Sequence, residues 1–533
     1  SHYARRAPGS IKVPAPIDRG DHLFNGEPRL RLVAERVFVP QVPFKLYETA
    51  RIDAVPHAPV DQLGPVLSQQ VPVVTGNDFS SLLAAFNKRC NFHSDARVAP
   101  VIVKSAIKLA DRVFPQVDSY DWTMDIYFEW VSKFNLDKKD RMARALLNLH
   151  DVDFRSLNTK SLMVKGEVLL KRNDPSWAPR VIYVGSDEYN VLTGPIMHVF
   201  NKRLKHALDT FSDTRVGVMF AYAEQDTCIA DFLSGQDHYY EGDFSANDKS
   251  QLVDVHEIFG HWLLRCGVPM WFYRFYVMNS KTFRVVSYEY GVSAEISNQL
   301  ATGGTDTTAR NTVWNLSLWY SFCEKSNLYG TKVAVLGDDI AVGKKGTGVS
   351  IVAWARHCQS AGMQLTAHER RLLCDLTFLS RFFYVRGEQY FMVPLIGKAL
   401  MRFNARSNRR EDLTDDEYMA GKSLSYAYEF RHIDYLRKAF LARFRSTGVS
   451  ANRLKFCDLT WFSRSKSGDP DLLLQLVTDE QVVISDEDFL ELIMGKYDIG
   501  LYDMDYLRDQ LILSNVAHVF SDERYYSFAH EVE

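Results

Sequence analysis

The chain has 533 residues, 46% of them hydrophobic and 13% aromatic, so it can bury a large core and does not read as disordered. Its net charge of -3 supplies no global basic field, so contact with nucleic acid would need a local patch or channel. The seven cysteines show no CxxC pair and no Cys/His ligand spacing, which argues against a disulfide framework and a zinc ribbon.

In chain order, residues 1–60 are rich in proline and read as an extended arm lying over other structure. From Ser80 to Asn148 the apolar spacing is helical. Leu162–Val184 reads as strands around a basic loop, where Lys165, Lys171, Arg172 and Arg180 surround the rigid segment NDPSWAP. Such a loop suits a triphosphate, and a plain solvated basic loop is the alternative. No apolar run approaches the roughly 18 residues of a membrane span, and the free cysteines fit a reducing, cytosolic compartment.

Two short strands then end in acids. The aromatic run HYYEGD brings Asp243 to a strand end, with Asp248 in the turn beyond it. The run KVAVLGDDIAVG predicts a hairpin with Gly337 at the turn and Asp338 and Asp339 at its tip. Adjacent acids repel one another unless solvated or bound to hard cations, which take oxygen ligands. A Gly-Asp-Asp turn alone is weak, expected by chance in roughly one chain in ten of this size. Between the two lies the glycine-rich TGGTDTT, leading into a helix where Thr307 and Asn311 share a face. The Asn311 amide suits a ribose hydroxyl; a capped helix with a polar surface is the alternative.

Charge is segregated toward the C-terminus. Residues 402–466 are basic and helical in pattern, as in YLRKAFLARF, and the stretch after Lys466 is acidic. The basic part suits the phosphates of a polyanion, through residues such as Arg437 and Lys438, and the acidic part either faces away from that polyanion or imitates it; two ordinary solvated helical faces are the alternative. Two near-motifs fail on spacing. His256-Glu257 and His261 are one residue too far apart for a zinc helix, and Gly337 to Lys344 is one residue too long for a phosphate loop.

In this order and spacing the segments resemble the RNA-dependent RNA polymerases of positive-strand RNA viruses, both the picornavirus-like and the nodavirus- and tombusvirus-like groups. Asp243 with Asp248 resembles motif A, Gly303 through Thr307 to Asn311 motif B, and Gly337-Asp338-Asp339 motif C. Lys165–Arg180 resembles motif F, AGMQLT the end of motif D, and TFLSRFF motif E. Two departures stand out. Thr302 occupies the usual serine position of motif B, and Arg370 the place of a proton-donating lysine in motif D, which leaves His368 as an alternative acid.

The resemblance implies an α+β right-hand fold with fingers, an antiparallel palm and a mostly helical thumb. It implies an arm and fingertips over 1–150, fingers over 151–235 and 258–300, palm over 236–257 and 301–385, and thumb with the acidic region over 386–533. It implies template-directed RNA synthesis with two Mg²⁺ or Mn²⁺ ions on Asp243, Asp338 and Asp339. Asp248 and Asn311 would read the ribose, with Thr307 supporting them, and Lys171, Arg172 and Arg180 would meet the triphosphate. The implied partners are template RNA, NTPs and other viral replication proteins, at membrane-associated complexes in the host cytoplasm. A reverse transcriptase and a non-catalytic RNA-binding protein with a palm are the rivals; the former normally carries an aromatic residue before its paired acids, where Leu336 and Gly337 stand here.

Overall fold

Alternating side chains build a five-stranded sheet at the centre of the molecule, seen in a computed structural model. Its strands are β1 (Val216–Phe220), β2 (His238–Ser245), β3 (Thr331–Leu336), β4 (Asp339–Lys344) and β5 (Gln364–Arg370), in spatial order β1-β3-β4-β2-β5. The pair β1–β3 is parallel and the other neighbours are antiparallel. The structure describes residues 4–6, 11–13, 36–47, 61–67, 72–74, 79–165, 168–170, 178–406, 413–456, 469–479, 484–520, 522–525, 527–528 and 531.

The apolar runs of β3 and β4 look continuous because both faces are covered. Val333, Val335, Ile340 and Val342 enter one core, while Ala334 and Ala341 enter a second on the opposite face. The first core lies under helices α1 (Pro100–Val113), α2 (Val253–Cys266), α3 (Thr307–Lys325) and α4 (Ile351–Gln359). Every residue of α3 from Ala309 to Cys323 is buried. A helix enclosed on all sides must satisfy each polar side chain internally. Trp319 of α3 packs edge-on against Trp354 of α4, ring centroids 4.9 Å apart, and donates its indole N–H to Thr331 of β3.

A six-stranded sheet takes up Ala4–Arg6 and Phe44–Tyr47 of the proline-rich arm, followed by Val292–Ser297, Thr282–Ser287, Thr159–Val164 and Val181–Val184. These two strands of the arm are thus laid onto a sheet, while Ile11–Val13 pairs with Arg36–Phe38 in a small sheet of its own. The division expected after residue 257 falls inside α2, whose Val255, Ile258, Phe259, Trp262 and Leu263 enter the same core as the central sheet. The division after 385 likewise falls inside the strand Arg381–Arg386.

The C-terminal region is helical and has its own core, drawn from both the basic and the acidic stretches. Phe440 and Phe444 of α5 (Asp434–Ser446) pack there with Leu473, Phe489, Ile493, Leu507 and Phe528. The acidic stretch is therefore built into this region and is no detachable tail; a cut near residue 468 would remove about a third of the core's buried residues. The expected phosphate grip by Arg437 is corrected here. Arg437 is buried, donating to the Val477 carbonyl at 2.7 Å and pairing with Asp434, because it lies on the inner face of α5. Arg443 is buried as well, and Arg406 is held by Asp415 and the Leu413 carbonyl. Lys438 is exposed and also pairs with Asp434.

Arg437→Met should therefore lower unfolding free energy by about 3 kcal/mol, the lower end for breaking a buried pair, since Lys438 still faces Asp434. The salt dependence of RNA binding should keep its slope. Urea melts and filter binding over a salt series check both.

Candidate active site

β3 and β4 are joined by a two-residue turn, Gly337-Asp338, with Leu336 opposite Asp339. Gly337 takes φ +62°, in the left-handed region that a tight hairpin turn requires. Helix α3 grips this turn from both sides. The Gly337 N–H donates to Thr312 Oγ1 at 2.8 Å, and Asn315 Nδ2 donates to the Gly337 carbonyl at 2.8 Å. Thr312 and Asn315 were not singled out for this role by sequence reasoning. The signal was there: Thr312 adjoins Asn311 and Asn315 lies one turn beyond it on the same helix.

β4 pairs with β2 through Gly242 and Ile340, so Asp243 follows beside Asp339. A side chain at Gly242 would meet Trp354, Ile340 and Leu365 within about 3.0 Å, which keeps the strand close to its neighbours. Asp243, Asp338 and Asp339 line one cavity of about 1070 Å³, together with Glu241, His368, Arg370, Lys398, Lys496 and Glu531.

The carboxyls resist ionisation together. Burial raises Asp339 to about 7, opposed by the Leu379 N–H that donates to it at 2.7 Å and reinforced by Asp338 and Asp243. Asp338, open at its tip, is raised by the surrounding protein and then by Asp248 and Asp243, while Arg180 draws it down. Asp243 is raised by burial and eased by His368. Leu379 and Ser380 both take positive φ, 54° and 57°, in the turn before Arg381–Arg386. Two non-glycine residues in the left-handed region mark stored strain, here spent on aiming an N–H at Asp339.

Beside the acids lies a polar pair. Asn311 Nδ2 donates to Asp248 Oδ1 at 2.9 Å, and the Thr302 hydroxyl donates to Asp248 Oδ2. Thr302 thus holds Asp248 through the hydroxyl it shares with serine. Thr307 bonds the Ala301 carbonyl at 3.2 Å and so supports the loop, with no bond of its own to Asp248 or Asn311.

A family model described as RNA dependent RNA polymerase matches residues 46–467. The chain belongs to this family of positive-strand RNA virus polymerases. It is an RNA-directed RNA polymerase, a nucleotidyltransferase, and so binds RNA and NTPs. A comparison with curated proteins returned no match. The mixed α/β architecture accords with a polymerase of this family.

Of the basic residues expected at the triphosphate, Arg180 lies close enough for its charge to act on Asp338, while Lys171 and Arg172 lie outside the described residues. Arg370, in the motif D position, pairs with Glu241 at 2.7 Å, and His368 faces the same cavity, as do Lys398, Lys496 and Glu531. The failed zinc spacing is explained too: His256 is buried against Arg310, and His261 points outward to Asp111.

Among the described residues no three acidic, histidine or cysteine side chains converge as a ready-made metal cage. The aspartates share the cavity, but one Asp339 oxygen is committed to Leu379, and mutual repulsion opposes closer approach. Such a donor set still fits Mg²⁺, which is commonly held by one or two carboxylates plus substrate phosphates.

The polymerase's last described residue, Glu531, also reaches the cavity. Its carboxylate accepts the Tyr497 hydroxyl and the Lys398 N–H, and burial raises its pKa. Phe528, packed on Gly397, anchors the segment. Glu531→Ala keeps Phe528 in place and takes the carboxylate out of the cavity. Unprimed initiation on an RNA template should speed up severalfold; equal rates would make Glu531 a plain wall residue.

Proposed function

We propose that this polymerase adds nucleotides by two-metal transfer in a right-hand arrangement. The five-stranded sheet with α2, α3 and α4 is its palm, the six-stranded sheet and arm belong to its fingers, and the helical region after residue 386 is its thumb. The observation that carries this reading is the meeting of Asp243, Asp338 and Asp339 at one cavity, their carboxyls all pushed upward. A dication would displace the protons of groups so crowded, sending them to solvent, so the donor set is suited to hold cations together with substrate phosphates.

Asp243 and Asp338 would be the ligands, and Asp339 would assist from beneath. When bound, the two ions activate a 3′-hydroxyl and stabilise the leaving pyrophosphate. The chain's own groups do the positioning. Arg180 meets the triphosphate, Asp248 and Asn311 meet the ribose 2′-hydroxyl, and His368 faces the cavity as a proton donor to the departing group. In the same reading the enzyme works with other viral replication proteins at cytoplasmic, membrane-associated complexes. Among the described residues no helix is long and apolar enough to cross a membrane.

Asp243→Ala and Asp338→Ala should each abolish primer extension on a homopolymer template while leaving the melting temperature near that of the parent. Asp339→Asn should be milder, because an amide oxygen can still accept from Leu379 and the native carboxyl is readily protonated. Extension by Asp338→Ala at a parental rate would overturn the two-metal assignment.

Sugar choice gives a second test. Losing a hydrogen bond to a buried partner costs about 1–3 kcal/mol. Asn311→Ala should accordingly cut the preference for ATP over dATP by roughly one to two orders of magnitude in kcat/KM. Unchanged discrimination would remove the ribose role.

A further inference from the structure

Asn311 does not hold its orientation alone. Its Oδ1 accepts from Gln251 Nε2 at 2.7 Å and from Asn247 Nδ2 at 2.9 Å, which leaves Nδ2 to face Asp248. Gln251 is itself fixed, its Oε1 accepting from Arg310 Nε at 2.8 Å. Arg310, fully buried on α3, meets His256 Nδ1 at 2.9 Å and the Tyr276 hydroxyl at 3.1 Å. Tyr276 in turn donates to Asp306 at 2.9 Å, so a buried carboxylate sits two hydrogen bonds away from the guanidinium. His256 is kept neutral by burial and by the Arg310 charge, and so is an acceptor for it.

The polarity of this chain follows from one residue. A guanidinium has donors only, so Gln251 must turn its oxygen toward Arg310 and its NH₂ toward Asn311. Asn311 must then present its oxygen to Gln251 and its NH₂ toward Asp248. A reversed amide at either position would set donor against donor or acceptor against acceptor in a buried site, where an unmade hydrogen bond costs most.

We infer that Gln251 and Arg310 are positioning residues for sugar selection, transmitting a fixed hydrogen-bond polarity from a buried guanidinium to the Asn311 amide. The inference rests on the ribose role of Asn311 proposed above. It adds two residues that do not reach the cavity, and a mechanism that depends on donor and acceptor direction more than on shape.

Gln251→Glu separates direction from shape. The new carboxylate has the same outline and keeps Arg310 as an ion pair, but it can only accept, so it repels the Asn311 oxygen and turns the amide over. Gln251→Met removes both polar ends and leaves Asn247 to orient Asn311. The readout is the ratio of kcat/KM for ATP over dATP, taken alongside thermal melts and Asn311→Ala in the same assay.

The expected order of ribose preference is parent, then Gln251→Met, then Gln251→Glu, with the last reduced about tenfold or more, as for one reversed hydrogen bond. The loss should lie mainly in KM for ATP. A packing role predicts the reverse order, because Gln251→Met abandons a buried guanidinium donor and Gln251→Glu does not. That order, or an unchanged ratio in Gln251→Glu while Asn311→Ala loses discrimination, overturns the inference alone. If Asn311→Ala keeps full discrimination, the ribose reading fails first. Should Gln251→Glu not fold, Gln251→Met decides: a ratio between parent and Asn311→Ala supports the relay, and a parental ratio overturns it.

Discussion

The two hydrogen bonds between helix α3 and Gly337 are the constraint on which the rest of the site depends. Thr312 and Asn315 hold opposite sides of one turn residue, so the tip carrying Asp338 and Asp339 cannot move without the helix. The helix in turn is enclosed on every side from Ala309 to Cys323. Each such bond contributes only about 1 kcal/mol net, but leaving either group unpaired in a buried place costs more. The same helix carries Arg310 and Asn311 immediately before Thr312, so the acids and the amide proposed to face the sugar share one rigid support.

Held this way, the acids store electrostatic cost. Three aspartates and Glu241 crowd one cavity, and Asp339 is raised to about 7. The fold tolerates this through local compensation: a backbone N–H from a strained turn at Leu379, the Arg370–Glu241 pair, and the cations Lys398 and Lys496 at the rim. Sites that bind dications and phosphates are expected to look unbalanced without them. In the proposed reading, this unused attraction is what would make metal and triphosphate binding favourable.

The Arg437 case illustrates the limits of reading charge along a chain. Residues 402–466 are rich in arginine, but Arg406, Arg437 and Arg443 are buried and held by protein groups. Arginine carries a long apolar stem and a planar head that can cap carbonyls in a helical core. Its abundance therefore says little about which face meets a polyanion. The acidic stretch shares that core, since its Phe489, Ile493 and Leu507 supply much of the packing.

The sequence by itself determined the chemistry-bearing hairpin, the acid-tipped strand beside it and the order of the segments that mark the family. Those signals are local: a turn that needs a left-handed residue at Gly337, strands of period two, and acids at their ends. It also determined that Asp248 and Asn311 belong together, since their types suit one ligand. Only the tertiary structure decided which buried polar groups support them. Gln251, Arg310, Thr312, Asn315, Leu379 and Glu531 meet the site across separations of up to hundreds of residues, and a hydrogen bond between distant segments leaves no periodic trace. It alone decided, too, that Arg437 faces inward and that the helix Val253–Cys266 runs unbroken through an expected boundary. The physical reason is the same in each case: burial is a property of how elements pack, and one stretch of chain does not specify what will cover it.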